Sequence, residues 1–405
     1  MTANTQRLSR PLQFLIGGSF LNKLGEFVIP FLTIYLTSAR GLSAGQASFI
    51  VSLYGLGLLL ASLVGGFLTD LIGRRSTMTL SMILSSITMV ILGSVRHLVL
   101  ITGLVFLLSL FTGMLRPAAS AAIADLTRTP AERMRVYSLR YWANNVGASV
   151  GPLLAGFLAH FSYFIMFLGD AFSSFIFGAL IWFGVPETRP RGSRKKQAGN
   201  GKRGLLAALA NPLLLCYATL ILLNGTIYRQ YSVALPLDME AHGLGEQYYG
   251  MVLAVNGVVI VLASIPVNRF FERFSANSTL ALAAVLLGCG FGMIALLQSF
   301  PWYLVSVVVW TLGELLSTPV ENAVIADIAP AHLNGSYQGV HSAARSFATF
   351  TAPLIGGLVF EHLGPAYLWI GCLGMGLLVA CCYLFLRALR ARQQSHSLLE
   401  AHAGD

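Results

Sequence analysis

The chain has few charged residues for a protein of its length. Only 10% of its 405 residues are Asp, Glu, Lys or Arg, whereas 56% are hydrophobic and the mean hydropathy is +0.72. So few ionic groups cannot cover the surface of a water-soluble protein of this size. The composition therefore predicts an integral membrane protein.

The chain also lacks the residue patterns of metal sites, disulfide frameworks and known catalytic centres. Its five cysteines all lie in apolar runs without ligand spacing, so they are interpreted as small core residues. We find no His-rich cluster, no phosphate-binding glycine loop and no pairing of a nucleophile with a base. We therefore expect no metal, no cofactor and no enzymatic activity, although a membrane enzyme or a non-transporting receptor stays open as a different class.

Apolar runs of about 20 residues, enough for a helix to cross some 30 Å of hydrocarbon, can be placed twelve times along the chain. The first run is too long for a signal-peptide core and is interpreted as an uncleaved helix. The predicted spans are residues 12–36, 46–70, 76–95, 99–124, 137–159, 164–185, 207–230, 248–268, 278–298, 302–326, 337–360 and 366–388.

The net charge of +10 has a strongly one-sided distribution. One side of the twelve-helix layout carries only Arg40 and Arg96, and the other carries most of the remaining arginines. This is the positive-inside pattern, which predicts a multi-pass protein of the cell (inner) membrane with both termini in the cytoplasm. The basic residues thus report orientation and do not predict a nucleic-acid partner. The arginines on the basic side are Arg7, Arg10, Arg74, Arg75, Arg128, Arg133, Arg135, Arg189 to Arg203, Arg269, Arg273, Arg387, Arg390 and Arg392.

A segment of the first half of the chain recurs in the second half. Pro117 stands six residues before Ile-Ala-Asp, and Pro319 stands six residues before a second Ile-Ala-Asp, a displacement of 202 positions. Such a duplication predicts two homologous bundles with a substrate site between them. Further equivalent pairs are Asn22 with Asn224, Pro152 with Pro353, and Gly156 with Gly357.

The centre of the chain is rich in Gly, Lys and Arg and is interpreted as a solvated linker. The predicted domains are an N-terminal six-helix bundle at residues 1–185, a basic cytoplasmic linker at 186–204, and a C-terminal six-helix bundle at 205–405 that ends in a short cytoplasmic tail. The predicted fold class is all-α integral membrane, with twelve transmembrane helices in two pseudo-symmetric halves.

Residues 65–75, GGFLTDLIGRR, join the second and third predicted spans. This segment resembles the G-x-L-x-D-x-x-G-R-R/K loop of the major facilitator superfamily, although Leu71 occupies a place that is commonly basic there. The resemblance implies a twelve-helix transporter in which this loop takes part in conformational switching. An alternative role for the arginines is to enforce topology only. The switch residues that the resemblance implies are Gly66, Asp70, Gly73, Arg74 and Arg75.

Residues 147–156, GASVGPLLAG, are similar to the G-x-x-x-G-P-x-x-G-G motif of the drug:proton antiporter branch, with Ala155 in place of one glycine. The resemblance implies export and adds Gly147, Gly151, Pro152 and Gly156 to the switch residues. Ordinary packing of small residues is the alternative. This branch carries an arginine early in the fourth span, and that arginine is missing here. The first arginine of the span, Arg116, lies further along the helix.

Six of the ionisable residues within the predicted spans form a functional shortlist, because an ionised side chain there costs at least roughly 2.5 to 3.5 kcal/mol. Each needs a partner, a water-filled cavity or a proton. They are Glu26, Arg116, Arg229, Glu314, Glu321 and Arg345.

The candidates for proton coupling are Glu26, Glu314 and Glu321, because a carboxyl group in a dry cavity can take up and release a proton. A silent structural pair with Lys23 is an equal alternative for Glu26. We expect Glu26 or Glu314 to carry the proton and Glu321 to pair with an arginine. At the cytoplasmic helix ends, Asp125 is a further switch candidate that we expect to pair with Arg74.

The candidates for the substrate cavity share polar or aromatic character within the spans, which suits an amphipathic ligand. Tyr and Trp also gather at membrane interfaces without binding anything. The cavity candidates are Asn22, Arg116, Asn145, Tyr228, Arg229 and Arg345.

The sequence as a whole predicts a proton-coupled secondary transporter that exports small amphipathic or drug-like molecules by alternating access. Its expected partners are a small-molecule substrate, protons and the lipid bilayer, and we expect a monomer. A dedicated exporter of a metabolite, siderophore or lipid-like compound, and an importer of a small polar solute, are the alternatives.

Overall fold

The computed structural model describes residues 8–189, 198–296, 298–330 and 333–403, and all regular elements within them are helices. A π-helical turn lies at Tyr35–Ala39, and 3₁₀ turns lie at Arg229–Ser232 and Met293–Ala295. The α-helices are α1 Arg10–Leu24, α2 Val28–Ile34, α3 Ala44–Leu71, α4 Arg74–Ser94, α5 Leu98–Leu126, α6 Pro130–Phe161, α7 Tyr163–Gly184, α8 Ala198–Leu209, α9 Pro212–Tyr228, α10 Ala234–Ala241, α11 Glu246–Phe271, α12 Ala276–Gly292, α13 Phe300–Ile328, α14 Asn334–His362 and α15 Pro365–Ala403.

Eleven helical segments of the described chain are long and apolar enough to cross a membrane. The remaining predicted span, residues 137–159, lies within α6. This helix packs along α1 and α11 as a member of the bundle, but its polar residues, including Arg140, lower its hydropathy. The all-helical membrane fold is therefore confirmed, whereas the count of twelve spans is not.

The first predicted span, residues 12–36, is two helices and not one. Helix α1 ends at Leu24, and α2 begins at Val28 after a short break. Asp170 of α7 stabilises the break. One of its carboxylate oxygens accepts hydrogen bonds from the backbone N–H groups of Phe27 and Val28, each at 3.0 Å. Backbone groups that leave a helix inside a membrane need such internal partners.

The first predicted span of the second half, residues 207–230, is divided as well. Asn211 accepts the N–H groups at the start of α9, and Pro212 follows it, so α8 and α9 are separate helices. After the 3₁₀ turn at Arg229–Ser232, the chain is helical again to Ala241. Both halves thus begin with an interrupted span.

The described end of the predicted linker and the predicted C-terminal tail are also helical. Residues 198–204 of the predicted linker belong to α8, and residues 190–197 lie outside the described chain. The tail predicted after Arg392 continues α15 to Ala403, because its Ala, Gln, Leu and Glu residues are good helix formers.

The two halves contact each other at one end of the bundle, which we call the closed end. It is the end at which α3 and α11 begin. Gly156 of α6 packs against the first residue of α11, and its duplicate Gly357 of α14 packs against the first turn of α3. Gly55 of α3 against α14, and Gly257 of α11 against α6, form a second equivalent pair. A side chain at any of the four would collide with the opposite helix, so glycine is what permits the close approach.

Carboxylates of the second half accept most of the hydrogen bonds that cross the closed end. Glu240 accepts from the Thr37 and Ser38 hydroxyls, and Glu246 accepts from the Tyr163 hydroxyl at 2.5 Å. Glu361, near the end of α14, accepts the remaining two, from the Ser43 hydroxyl at 3.3 Å and from the Gly45 amide. Between the described residues of the two halves there is no ion pair.

The opposite end, which carries the loop around Gly73, is the open end. Among the described residues, the glycine contacts and hydrogen bonds between the halves all lie at or toward the closed end. The space between the halves is therefore reached from the open end.

We expect Gly156→Leu to weaken the closed end, because a Cβ at Gly156 already lies 2.7 Å from the carbonyl oxygen of Glu246. Overpacking of this kind costs about 1 to 3 kcal/mol. Cysteines placed at Thr33 and Ser232, whose hydroxyl and carbonyl lie 2.9 Å apart, should then cross-link less completely.

The matched control is Gly66→Leu in α3, where a Cβ meets nothing within 4 Å. It should leave the cross-linking yield unchanged. Equal yields in both variants would show that the Gly156 contact does not hold the halves together.

Candidate functional site

A cavity lies in the second half where α9, α12, α13 and α14 meet. The 3₁₀ turn after α9 places Tyr228 and Arg229 side by side in its wall. Apolar side chains, amides and hydroxyls line the rest of the wall, so the cavity suits a ligand of mixed polarity. Its charged lining residues are Arg229, Glu314, Glu321 and Arg345.

The Glu314 carboxyl group has only neutral hydrogen-bond donors around it. The Tyr228 hydroxyl donates to one oxygen at 2.7 Å, and the Asn256 amide donates to the other at 3.1 Å. No cation of the described chain lies within 4.0 Å of it. Because a tyrosine hydroxyl can accept as well as donate, Tyr228 can pair with either protonation state of this group.

Glu321 is held differently, about two helical turns further along α13. Its side chain is 3% exposed and accepts from the Arg345 guanidinium at 2.9 Å, with the His341 ring at 3.6 Å. The expectation that Glu321 pairs with an arginine is confirmed. A carboxylate held by a guanidinium is the less suitable of the two to exchange a proton.

Glu26 forms an ion pair with Lys23 at 2.7 Å, and both side chains are 35% exposed. The pair lies at the point where α1 ends. The structure thus contains the structural pair that was one of the two sequence interpretations of Glu26.

Arginines of both halves face the space between the halves. Arg116 of α5 is exposed and interacts electrostatically with Arg229 and Arg345 of the second half and with Glu26 of the first. Arg140 of α6 interacts with Arg116 and donates to a serine hydroxyl of α1. The cavity candidates Arg116, Arg229 and Arg345 are therefore brought together.

Two cavity candidates have other partners. Asn22 donates to the Ser174 hydroxyl of α7 at 3.0 Å, within its own half. Asn145 donates to the carbonyl of Tyr141, one turn earlier in α6, at 2.9 Å. The duplicate of Asn22, Asn224, lines the cavity instead.

Three buried or half-buried charged residues were missed from the sequence. Asp170 and Arg140 stand inside predicted spans, so the hydropathy pattern could have identified them. Asp238 lies between the predicted spans at 207–230 and 248–268. It is fully buried and accepts from the Tyr303 hydroxyl at 2.5 Å and the Trp369 indole at 3.1 Å, which fixes α10 to α13 and α15.

Charged switch candidates form a cluster at the open end. Arg74 lies 3.0 Å from Asp125 and 3.5 Å from Asp70, so the expected pairing of Arg74 with Asp125 is confirmed. Arg75 instead stacks on the Trp182 ring at 4.0 Å. The cluster links the beginning of α4 to the end of α5.

The chain just after α7 joins this cluster. Glu187 accepts the backbone N–H of Arg74 at 2.9 Å, and Thr188 donates to Asp125 at 3.0 Å. Gly73 turns the chain with φ of +102°, a conformation that other residues rarely adopt, and a side chain there would meet Glu187. The start of the predicted linker is therefore fixed to the loop.

The glycine motif of α6 serves two helices at once. Gly147 and Gly151 face the end of α1, close to the break. Gly156 and the Pro152 carbonyl face α11 of the other half. This segment therefore connects the interrupted first span with the closed end. In the motif at residues 65–75, Gly65 packs closely against α5, whereas a Cβ at Gly66 would meet nothing within 4 Å.

The described residues contain no group of three His, Cys, Asp or Glu side chains that could hold a metal ion. The chemistry available in the cavity is that of arginines, carboxyl groups, amides and aromatic rings. These groups can bind a ligand and move a proton.

Comparisons with known proteins agree with this architecture. A family model described as Major Facilitator Superfamily matches residues 15–349 and 218–402. The solved structure of the nucleoside transporter NupG has a TM-score of 0.81 with 11% identity, and the alignment covers 93% of this chain and 99% of that one. At this identity the likeness concerns the fold alone.

Three bacterial relatives are similar over most of their length. An uncharacterized MFS-type transporter, YttB of Bacillus subtilis, is 26% identical over 96% of this chain and 98% of its own. A Na⁺, Li⁺, K⁺/H⁺ antiporter of Planococcus maritimus is 25% identical, with coverage of 84% and 87%. The multidrug resistance protein MdtH of Aeromonas hydrophila is 24% identical, with coverage of 89% and 90%.

We expect Arg345→Ala to destabilise the protein, because it leaves the buried Glu321 carboxylate without its cation. The loss should be about 3 kcal/mol and should appear as a lower Tm in detergent. Adding Glu321→Gln should recover part of the loss, since no unpaired charge is then buried. Arg273→Ala, at an exposed arginine that stacks on a phenylalanine, is the control and should change the Tm little. An Arg345→Ala protein as stable as this control would contradict the role of the pair.

Proposed function

The chain belongs to the Major Facilitator Superfamily, and we propose that it is a proton-coupled secondary transporter that exports small amphipathic molecules. Membership makes it a multi-pass membrane transporter of a small-molecule substrate and not an enzyme. Export, coupling to protons and the class of substrate are the parts that we propose.

The observation that carries the proposal is the environment of Glu314. This carboxyl group lines the cavity, is held by two neutral donors, and lies between halves that contact each other at one end. A group that keeps its hydrogen bonds in both charge states can load and unload a proton as access alternates. We therefore assign the coupled proton to Glu314, and the structural pairs to Glu26 and Glu321.

The orientation follows from the basic residues. The open end carries Arg74, Arg75 and the arginines around α6's beginning, and positive charge favours the cytoplasmic side. In this orientation both termini are cytoplasmic, the cavity faces the cytoplasm, and the closed end seals the outer side. We propose a monomer of the inner membrane, with six-helix halves at residues 1–185 and 205–405 joined by residues 186–204.

Two further observations support export. The α6 glycine motif, which resembles that of drug:proton antiporters, packs against both the broken first span and the closed end. Similar chains include a cation/proton antiporter and a multidrug resistance protein, by their names. Opening of the outer side would require this motif to slide along α1 and α11.

One observation favours a second candidate, uptake of an anion together with a proton. Arg229 and Arg345 both interact electrostatically with Glu314. A proton on Glu314 would remove the negative charge that competes with an anion for these arginines. Proton and anion would then bind together, as in a symporter.

The test uses inverted membrane vesicles with an interior one pH unit more acidic than the medium. Three naphthalene probes serve as substrates: the 2-sulfonate, the 2-methanol and the 2-methyltrimethylammonium compound. One pH unit corresponds to about 1.4 kcal/mol per proton, so a one-proton exporter can accumulate an electroneutrally exchanged probe about tenfold. Movement of a probe out of the vesicles under the same gradient would instead support uptake.

We expect Glu314→Gln to abolish gradient-driven accumulation, so that the ratio falls to about 1, while exchange of labelled for unlabelled probe continues. Glu26→Gln should retain the dependence on the gradient. Asp327→Asn, at an exposed position near the end of α13, is the matched control. Full accumulation in Glu314→Gln would refute the assignment, and loss in Glu26→Gln alone would move the proton to Glu26.

A further inference from the structure

The charges around the space between the halves do not balance. Five cations face it or lie at its edge, against three carboxyl groups, so the site has an excess of two positive charges even when every carboxyl is ionised. The cations are Lys23, Arg116, Arg140, Arg229 and Arg345, and the carboxyl groups are Glu26, Glu314 and Glu321.

Two of the carboxylates are already used by cations. Lys23 lies 2.7 Å from Glu26, and Arg345 lies 2.9 Å from Glu321. The third carboxyl group, Glu314, takes its hydrogen bonds from a tyrosine and an asparagine. The charge excess therefore resides on the remaining arginines.

Three arginines of this set, Arg116, Arg140 and Arg229, have no carboxylate within 4.0 Å in the described chain. Arg140 already donates to a serine hydroxyl of α1, which leaves Arg116 and Arg229. They approach from opposite halves, and Arg116 interacts with both Arg229 and Arg345 as like charges. Like charges that face each other in a protein repel, and an anion between them would remove the repulsion. Arg140, which also interacts with Arg116, adds to the same field.

We propose that this transporter binds an amphipathic anion, with its carboxylate, sulfonate or phosphate group between Arg116 of the first half and Arg229 of the second. A guanidinium offers a planar set of donors that matches such oxyanions. The anion therefore bridges the two halves. The inference rests on the proposed function only in that the substrate enters this cavity, and it holds for export and for uptake.

The surroundings of the arginines fit the apolar part of such a molecule. Tyr228 packs against Tyr231 and Trp310 beside the cavity, with ring centroids 5.1 and 5.8 Å away. Leu287 also lines the wall, and Tyr141 of α6 faces it from the other half, with 59% of its surface exposed. Flat aromatic groups can stack on these rings while the anionic group reaches the arginines.

The same field disfavours a lipophilic cation. A quaternary ammonium group in this space lies in the field of Arg116 and Arg229, whose positive charges repel it. Specificity by charge then comes from repulsion as well as attraction. The substrate class differs in this respect from that of a cavity whose charge is carried by acidic residues.

The test measures binding of the three naphthalene probes to the full-length protein in detergent by titration calorimetry. They share one ring system and differ in charge. The sulfonate should bind at least about tenfold more tightly than the alcohol, and the trimethylammonium compound more weakly than the alcohol.

Single-residue variants locate the anionic group. Arg116→Gln and Arg229→Gln should each weaken sulfonate binding roughly ten- to a hundredfold while changing alcohol binding less than about twofold. Arg116→Lys and Arg229→Lys should recover part of the affinity, because they restore the charge. Arg273→Gln, at an exposed arginine outside the cavity, is the matched control.

Three results would overturn the inference: equal binding of sulfonate and trimethylammonium, binding of none of the probes, or sulfonate affinity unchanged in both Gln variants. Equal losses for sulfonate and alcohol would also overturn it, since they indicate a collapsed cavity. Vesicle flux separates this failure from that of the proposed function. Gradient-driven movement of the alcohol or the cation with no sulfonate binding leaves the transporter intact, whereas charge-selective binding without flux leaves the anion site intact.

Discussion

The structure depends on close approach of helix backbones at the closed end. In lipid the burial of apolar surface does not drive helices together, so their association relies on contacts that only small residues permit. Gly55 and Gly156 of the first half and their duplicates Gly257 and Gly357 provide these contacts in equivalent positions. Because the halves meet there, the cavity is left accessible from the other end, and the arginines of the two halves can face each other across it.

Much of this organisation could be predicted from the sequence, because it depends on composition and on local residue types. The membrane class, the helix positions and the pairs Arg74 with Asp125 and Glu321 with Arg345 follow from hydropathy and from charge. The interruption after α1 could not be predicted in the same way. It depends on Asp170, 142 positions away from Val28, whose carboxylate replaces helix hydrogen bonds, and helical periodicity carries no signal of that contact.

The site shows the same limit. Each of Glu26, Glu314 and Glu321 is a carboxyl group in an apolar span, and the sequence set only Glu321 apart, through its expected pairing with an arginine. Their partners distinguish them: an ammonium for Glu26, a guanidinium for Glu321, and neutral groups for Glu314. The hydrogen-bond donors of Glu314 come from other helices and are a property of the packed bundle, so a single sequence cannot rank Glu314 against Glu26.

The hydrogen bonds of the closed end have a consequence for how readily it separates. The donors to Glu240, Glu246 and Glu361 at the closed end are hydroxyl and amide groups, not ammonium or guanidinium groups. Water can replace each such donor one for one, and no pair of opposite charges has to be pulled apart. Background salt should therefore have little influence on this step, since Debye screening acts on charge pairs and leaves contacts of this kind nearly unaffected.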